Sequence, residues 1–335
     1  MTATTTRRPA RGWRTPLVNV ATRAGAKVPG ALWPLTPRGA GALARLADAA
    51  SWIPRVARGS RVEVVAAGPG QPRATWIHGP GVDDDARAIL YLHGGGFVFG
   101  SARTHRALAA AISREAGAPV LAVDYTLLPL APLPTPVDES LAAYRWLQEE
   151  RGVAPERIVV MGDSAGGNLA FATALRAAAE GLAAPAAVAA LSPWLDLALD
   201  GPSVAANRWR DPFMPLGFLR RCARLGVGDG DPRDPLISPL HAPLAGLPPA
   251  LIQVGGLEIL LSDSERMAER LAAAGVTVDL QVWEGQGHVF QLWAGWLPEA
   301  TAAVAELGAF ARRAQSSAAA PRAASATSAA ARGRG

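Results

Sequence analysis

The chain has one cysteine, Cys222, among 335 residues, so no internal disulfide can form and a disulfide-stapled secreted scaffold is excluded. Charge is scarce at 18% Asp, Glu, Lys and Arg, whereas 50% of the residues are hydrophobic. That balance excludes a disordered or collagen-like chain. Long apolar runs are missing too. The longest stretch without a formal charge, Pro235 to Leu257, could span a bilayer by length, but its five prolines and a histidine make it read as loop and then strand. Between Arg14 and Arg23 lie only eight uncharged residues, Pro16 and Asn19 among them, and Arg7-Arg8 has no apolar stretch behind it. Neither a signal peptide nor a transmembrane segment is expected, and the expected compartment is the cytoplasm. No internal repeat occurs.

What is present begins with an uneven charge. The formal total is +5, from 33 basic and 28 acidic residues. Residues 1 to 61 carry eleven basic residues and one acid, Asp48, and residues 311 to 335 carry five arginines and no acid. The body between them is therefore net −10. A basic total alone would point to nucleic acid or anionic lipid. An acidic body with basic ends removes nucleic acid as the expected partner.

From about residue 61, short β-rich runs alternate with helical patterns. Strands are expected at Arg61 to Ala66, Ile89 to Leu92, Val120 to Val123, Ile158 to Met161, Ala186 to Leu191, Leu251 to Val254 and Val278 to Trp283. Helices are expected near 103 to 116, 136 to 150, 165 to 180, 263 to 274 and 299 to 313. This alternation predicts an α/β fold with a mostly parallel sheet covered on both faces. Residues 1 to about 12 are expected to be disordered, and the rest of 1–60 to form short helices broken by Pro16, Pro29, Pro34, Pro37 and Pro54. The catalytic domain is expected over 61–312, with a helical insertion at about 205–228, and the Ala, Ser and Arg tail at 313–335 is expected to be disordered.

The strongest local signal is Gly162-Asp163-Ser164-Ala165-Gly166, set between a β-rich run and an Ala-rich helical pattern. A strand-turn-helix of this kind is a nucleophile elbow, with glycines where the strand and helix backbones crowd together. Ser164 at a helix N-terminus would meet N–H groups and a dipole that favour negative charge. Upstream, His93-Gly94-Gly95-Gly96-Phe97 follows a strand directly, and its glycines free backbone N–H groups to face a substrate oxygen together with that of Ala165. His93 itself reads as a loop-shaping residue. In the order serine, acid, histidine, only His241 and His288 can be the base. His288 sits in a loop after the last strand and before the last helix, whereas His241 stands among prolines. The acid is Glu258, at the C-terminal end of strand Leu251 to Val254, or Asp263, whose place before a helical run also suits an N-cap.

These residues resemble the hormone-sensitive-lipase-like branch of α/β-hydrolases, which includes many bacterial carboxylesterases. The resemblance covers about 61 to 312 and also rests on Asp124-Tyr125 before a Pro-rich stretch to Asp138, Ser192-Pro-Trp-Leu-Asp196-Leu, and Ser238-Pro-Leu ahead of Leu247-Pro-Pro-Ala. It implies oxyanion donors at Gly95, Gly96 and Ala165, an N-terminal helical cap, and Glu258 where the family more often has Asp. The segment Asp124-Tyr-Thr-Leu-Leu-Pro-Leu lacks an Arg and a Glu that the family usually carries, a double loss that leaves no orphan charge.

The expected function is that of a serine esterase for short to medium acyl esters, using Ser164, His288 and Glu258 and needing no cofactor and no metal. Phe97, Trp194 and Phe213 are candidates for the substrate pocket. A lactone, amide or acetylated xenobiotic is the alternative substrate, and a ligand-binding, receptor-like protein is the alternative class. Two further expectations concern partners. The basic cap either contacts an anionic lipid surface through Trp13, Trp33 and Trp52, or is a solvated face with its tryptophans packed on the catalytic domain. An exposed edge strand near 278 to 283 could support a homodimer.

Overall fold

The computed structural model describes residues 3–10, 12–50, 56–66 and 72–317. Its centre is a nine-stranded sheet in the order β1-β9-β8-β7-β6-β4-β5-β3-β2. The five expected strands β4 (Ala88–Leu92), β6 (Ile158–Asp163), β7 (Ala187–Leu191), β8 (Ala250–Gly255) and β9 (Val278–Trp283) pair in parallel, and β5 (Val120–Val123) joins them beside β4. Every residue of β4, β5 and β6 is buried, as a central strand covered on both faces requires. Alternate side chains feed two cores. Leu90, Leu92 and Val160 face α5 (Pro134–Glu149), α6 (Ala165–Ala179) and α9 (Leu261–Ala273), whereas Ile89, Tyr91 and Met161 face α4 (Ala102–Ala116) and α10 (Pro298–Ser317).

Two strands escaped the sequence reading. β3 (Arg73–His78) inserts antiparallel between β5 and the expected strand β2 (Arg61–Ala66), which forms one edge of the sheet. β1 (Ala3–Arg8), in a segment expected to be disordered, runs parallel to β9 in register from Ala3 opposite Val278 to Arg8 opposite Trp283. Its sequence is too polar to signal a strand, and its order comes from the unpaired N–H and C=O row that β9 would otherwise present. The edge expected to be exposed at 278 to 283 is therefore covered, and it cannot pair with another copy.

Above the C-terminal ends of the parallel strands lies the cap. It consists of α1 (Arg14–Thr22), a wider π turn at Arg23–Lys27, α2 (Val28–Leu32) and α3 (Pro37–Ala50), with α7 (Pro202–Ala206) and α8 (Leu216–Val227) from the expected insertion. α3 docks through Asp48, which accepts a 2.5 Å hydrogen bond from the hydroxyl of Ser101, the N-cap of α4. Trp33 is half-buried, and its indole N–H donates to the Gly39 carbonyl, whereas Trp13 is 73% exposed. Trp52 and the tail after Ser317 lie outside the described residues. No helix among the described residues is long and apolar enough to cross a membrane.

Candidate active site

The elbow forms where β6 turns into α6. Ser164 has φ 53° and ψ −117°, a conformation outside the ordinary wells that is tolerated where surrounding structure over-determines it. Its N–H is fixed by the Leu191 carbonyl at 2.8 Å, and its carbonyl accepts the Trp194 N–H at 3.0 Å. The crowding expected at the glycines is real: a Cβ on Gly166 would fall 1.9 Å from the Leu92 carbonyl oxygen, and one on Gly162 would fall 2.2 Å from that of Gly166.

Around Ser164 the structure gathers residues from three loops. His288 Nε2 lies 2.9 Å from Ser164 Oγ, and His288 Nδ1 lies 2.8 Å from Glu258 Oε2. With its proton on Nδ1, the ring donates to the carboxylate and accepts from the serine hydroxyl. Burial pulls the imidazole pKa down, but the Glu258 hydrogen bond and charge outweigh it, with Asp211 and Asp163 adding, and the net direction is upward. The other oxygen of Glu258 accepts from the Ser192 hydroxyl at 2.6 Å and the Gly255 N–H at 2.5 Å. Ser192 also accepts from the Val289 N–H at 3.0 Å, so one hydroxyl ties the acid to the loop that carries His288.

The rival acid stands elsewhere. Asp263, fully buried, accepts the Leu195 and Asp196 N–H groups at 2.9 and 3.0 Å, and burial with the nearby Asp196 charge pushes its carboxyl up to about 7. His241 pairs with Asp196 at 3.1 Å. His93 stacks on Tyr125 with centroids 4.2 Å apart, and burial with the neighbouring His105 drives its pKa down to about 3, leaving it neutral.

The glycine loop lies beside the serine. Gly95 has φ 122°, and a Cβ there would sit 2.0 Å from the Phe99 carbonyl oxygen. Among the described residues, the Gly95 and Gly96 N–H groups donate to no protein acceptor. Ala165 occupies the first turn of α6, whose N–H groups have no partner within the helix. Behind the loop, Asp163 Oδ1 accepts the Gly94 N–H at 3.0 Å and the Tyr91 hydroxyl at 2.7 Å.

Of the pocket candidates, Phe213 is half-buried with its ring 5.6 Å from that of His288. Phe97 and Trp194 are sealed from solvent and pack on each other at 5.9 Å. Asp211 and Asn207, buried beside Glu258, were missed by the sequence reading. They stand in the mixed stretch Asn207-Arg-Trp-Arg-Asp211-Pro-Phe-Met214, where polar residues are common and neither one marks a role. No cluster of three or more metal-ligating side chains occurs among the described residues.

A family described as the alpha/beta hydrolase fold matches residues 89–292. The chain is an α/β-hydrolase. Within the α/β-hydrolases it belongs with the carboxylesterase- and lipase-like enzymes of the bacterial hormone-sensitive lipase type. It is 40% identical over 245 residues to an acetyl-hydrolase of Streptomyces hygroscopicus, covering 73% of this chain and 81% of that one. It is 42% identical over 253 residues to the carboxylesterase/phospholipase LipF of Mycobacterium tuberculosis, covering 72% of this chain and 67% of that one. An esterase of the bacterial hormone-sensitive lipase family superposes with a TM-score of 0.83 at 38% identity, over 91% of this chain and 99% of that one.

Proposed function

We propose that this α/β-hydrolase cleaves short to medium acyl esters through a covalent acyl-serine, with Ser164 as nucleophile, His288 as base and Glu258 as acid. The observation that carries the reading is the unbroken line from Ser164 Oγ through His288 to Glu258, with contacts of 2.9 and 2.8 Å. Ser164 Oγ bonds to the acyl carbon as its proton passes to His288 Nε2, and the carbonyl electron pair moves onto oxygen. That oxyanion meets the N–H groups of Gly95, Gly96 and Ala165, where each donor contributes about 3–4 kcal/mol. Collapse expels the alcohol with the proton from His288, and water, deprotonated by the same imidazole, then releases the acid. Phe213 lines the pocket, while Phe97 and Trp194 form its closed floor.

The test is a chain-length series of p-nitrophenyl esters, with lactones and amides alongside. Ser164→Ala should abolish turnover, and Glu258→Ala should lower kcat on the order of 10⁴-fold. Asp263→Asn, which leaves His288 and its partners in place, should stay within about threefold of wild type. Full turnover by Ser164→Ala would overturn the mechanism. Lactone or amide turnover above that of every ester would overturn the substrate class. An intact line of hydrogen bonds also argues against a receptor-like role.

The cap surface supports a weak contact with anionic lipid. Trp13, Leu17, Val20, Val28 and Leu32 are exposed along one helical run, and Trp209 is exposed with the Arg208 guanidinium 4.5 Å from its ring centroid. No acidic residue precedes Asp48, and the mix of apolar and basic side chains suits an interfacial helix. Co-sedimentation with phosphatidylglycerol vesicles should exceed that with phosphatidylcholine, and Leu17→Glu/Val20→Glu should lose it; equal binding to both would remove the proposal. A homodimer joined through the sheet would use β1 or β2, its two open edges. The buried free thiol of Cys222 suits a reducing cytoplasm.

A further inference from the structure

The segment from Asn207 to Met214 joins the two cap helices α7 and α8, and it is held from both sides. On its outer side, four successive carbonyls accept from two cations of the N-terminal cap. Lys27 Nζ donates to Arg208 O at 2.8 Å and to Asp211 O at 2.5 Å, and Arg23 donates to Trp209 O at 2.9 Å and Arg210 O at 3.1 Å. Lys27 is the only lysine in the chain. Consecutive carbonyls pointing one way form a negative concavity that a positive side chain satisfies, much as it does at a helix C-terminus.

On its inner side the same segment grips a single peptide group. Asn207 Nδ2 donates to the Glu258 carbonyl at 2.8 Å, and Asp211 Oδ2 accepts the Ile259 N–H at 3.0 Å. The carbonyl and the N–H are the two ends of one peptide unit, the one that follows Glu258. Asp211 Oδ1 meanwhile accepts the Phe213 and Met214 N–H groups at 2.8 and 2.9 Å, which turns Phe213 toward the His288 ring. Asn207 and Asp211 are both buried, so neither is a surface residue that happens to touch the loop.

A buried carboxylate bonded to three backbone N–H groups and to no side-chain cation is costly unless it positions something. Glu258 supplies the reason. Glutamate has one more rotatable bond than aspartate, so a small movement of its backbone swings the carboxylate away from His288 Nδ1. Ser192 and Gly255 fix the carboxylate end of this lever, and fixing its base requires a grip on the backbone. We propose that Asn207 and Asp211 are positioning residues that clamp the Glu258–Ile259 peptide, and that Arg23 and Lys27 make this clamp depend on a docked N-terminal cap. The acid of the site is then held in register by the cap as well as by the sheet.

The inference rests on the reading of Ser164, His288 and Glu258 as the catalytic residues, and Ser164→Ala serves as its control. Four variants of the full chain are measured by pH-dependent steady-state kinetics with p-nitrophenyl butyrate and by thermal melting: Asn207→Ala, Asp211→Asn, Arg23→Met/Lys27→Met and Arg23→Lys/Lys27→Arg. Misplacing the acid should lower kcat about tenfold to a hundredfold, with KM changed far less. The charged groups facing His288 are Glu258 beyond β8, Asp163 at the elbow and Asp211 from the cap, with Lys27 behind Asp211. Asp211→Asn removes one of the negative charges, so the acid limb of kcat/KM should move to lower pH, a shift that lost packing alone would not produce. Arg23→Met/Lys27→Met should lower kcat in the same way, and the charge-keeping pair should restore it. Should the buried variants fail to fold, the pair of exposed Arg23 and half-buried Lys27 decides. Unchanged kcat and an unmoved limb in folded Asn207→Ala and Asp211→Asn would overturn the clamp, and a pure KM effect in Arg23→Met/Lys27→Met would overturn its dependence on the cap. Turnover that survives Ser164→Ala would instead overturn the reading of the site.

Discussion

Glu258 and Asp263 lie five residues apart and are both fully buried, yet only Glu258 reaches the imidazole. The difference is where each side chain leaves the backbone. Glu258 sits in the turn just beyond β8, whereas Asp263 is already in the first turn of α9 and points at the Leu195 and Asp196 N–H groups. Sequence position alone could not separate them, because the turn between strand and helix is decided by long-range bonds from Asn207, Asp211 and Ser192. The same contacts set the pH response. In the proposed mechanism His288 is neutral when it accepts the Ser164 proton, and burial lowers its pKa less than Glu258, Asp211 and Asp163 raise it. Activity should therefore fall with decreasing pH, with its midpoint above the ordinary imidazole value of 6.5. Glu258→Gln removes the largest raising influence and leaves the burial, so its residual activity should show that limb at lower pH. Profiles of kcat/KM for both proteins check this, and coincident limbs would contradict it.

At the scale of elements, the glycine loop depends on the strand behind it. Asp163 ends β6, takes the Gly94 N–H, and lies 3.3 Å from His105 of α4, so one buried carboxylate connects elbow, loop and helix. Burial pushes the Asp163 carboxyl up, but His105 more than offsets this and its pKa is lowered; burial pushes His105 down, and Asp163 reverses it. The acid therefore stabilises the fold above its unfolded pKa near 3.8, and the imidazolium does so below 6.5. Their joint contribution should be greatest between those values, fading below as Asp163 protonates and above as His105 loses its proton. Asp163→Asn strands a buried imidazole and should cost about 3–5 kcal/mol of stability, read from denaturant melts across pH. A difference from wild type that does not vary with pH would show that the pair is uncharged. The glycine motif was legible in the sequence and so were the central strands, because strands buried on both faces are apolar throughout. His105, in the amphipathic pattern of α4, carried no local sign of its partner.

The whole molecule explains the uneven charge. The basic N-terminus lies against the acidic body, where Arg7 pairs with Glu284 at 2.7 Å and Glu265 at 3.1 Å, and Arg8 pairs with Glu306 at 2.8 Å. Farther along, Arg23 and Lys27 satisfy carbonyls. Part of the positive excess thus serves the fold, and it does so through a strand that no local pattern announces. Exposed ion pairs contribute little singly, so what holds β1 is its hydrogen-bond ladder with β9. Thr5→Pro/Thr6→Pro removes an amide from both alternating sets of β1, and losing a ladder hydrogen bond with its partner left unpaired costs about 1–3 kcal/mol. In a chain of this size the melting temperature should then drop by several degrees. Freed of β1, β9 presents an open edge, and the variant should form larger species as concentration rises, followed by size-exclusion chromatography. A variant that melts and elutes like wild type would mean that β1 neither stabilises the sheet nor shields it.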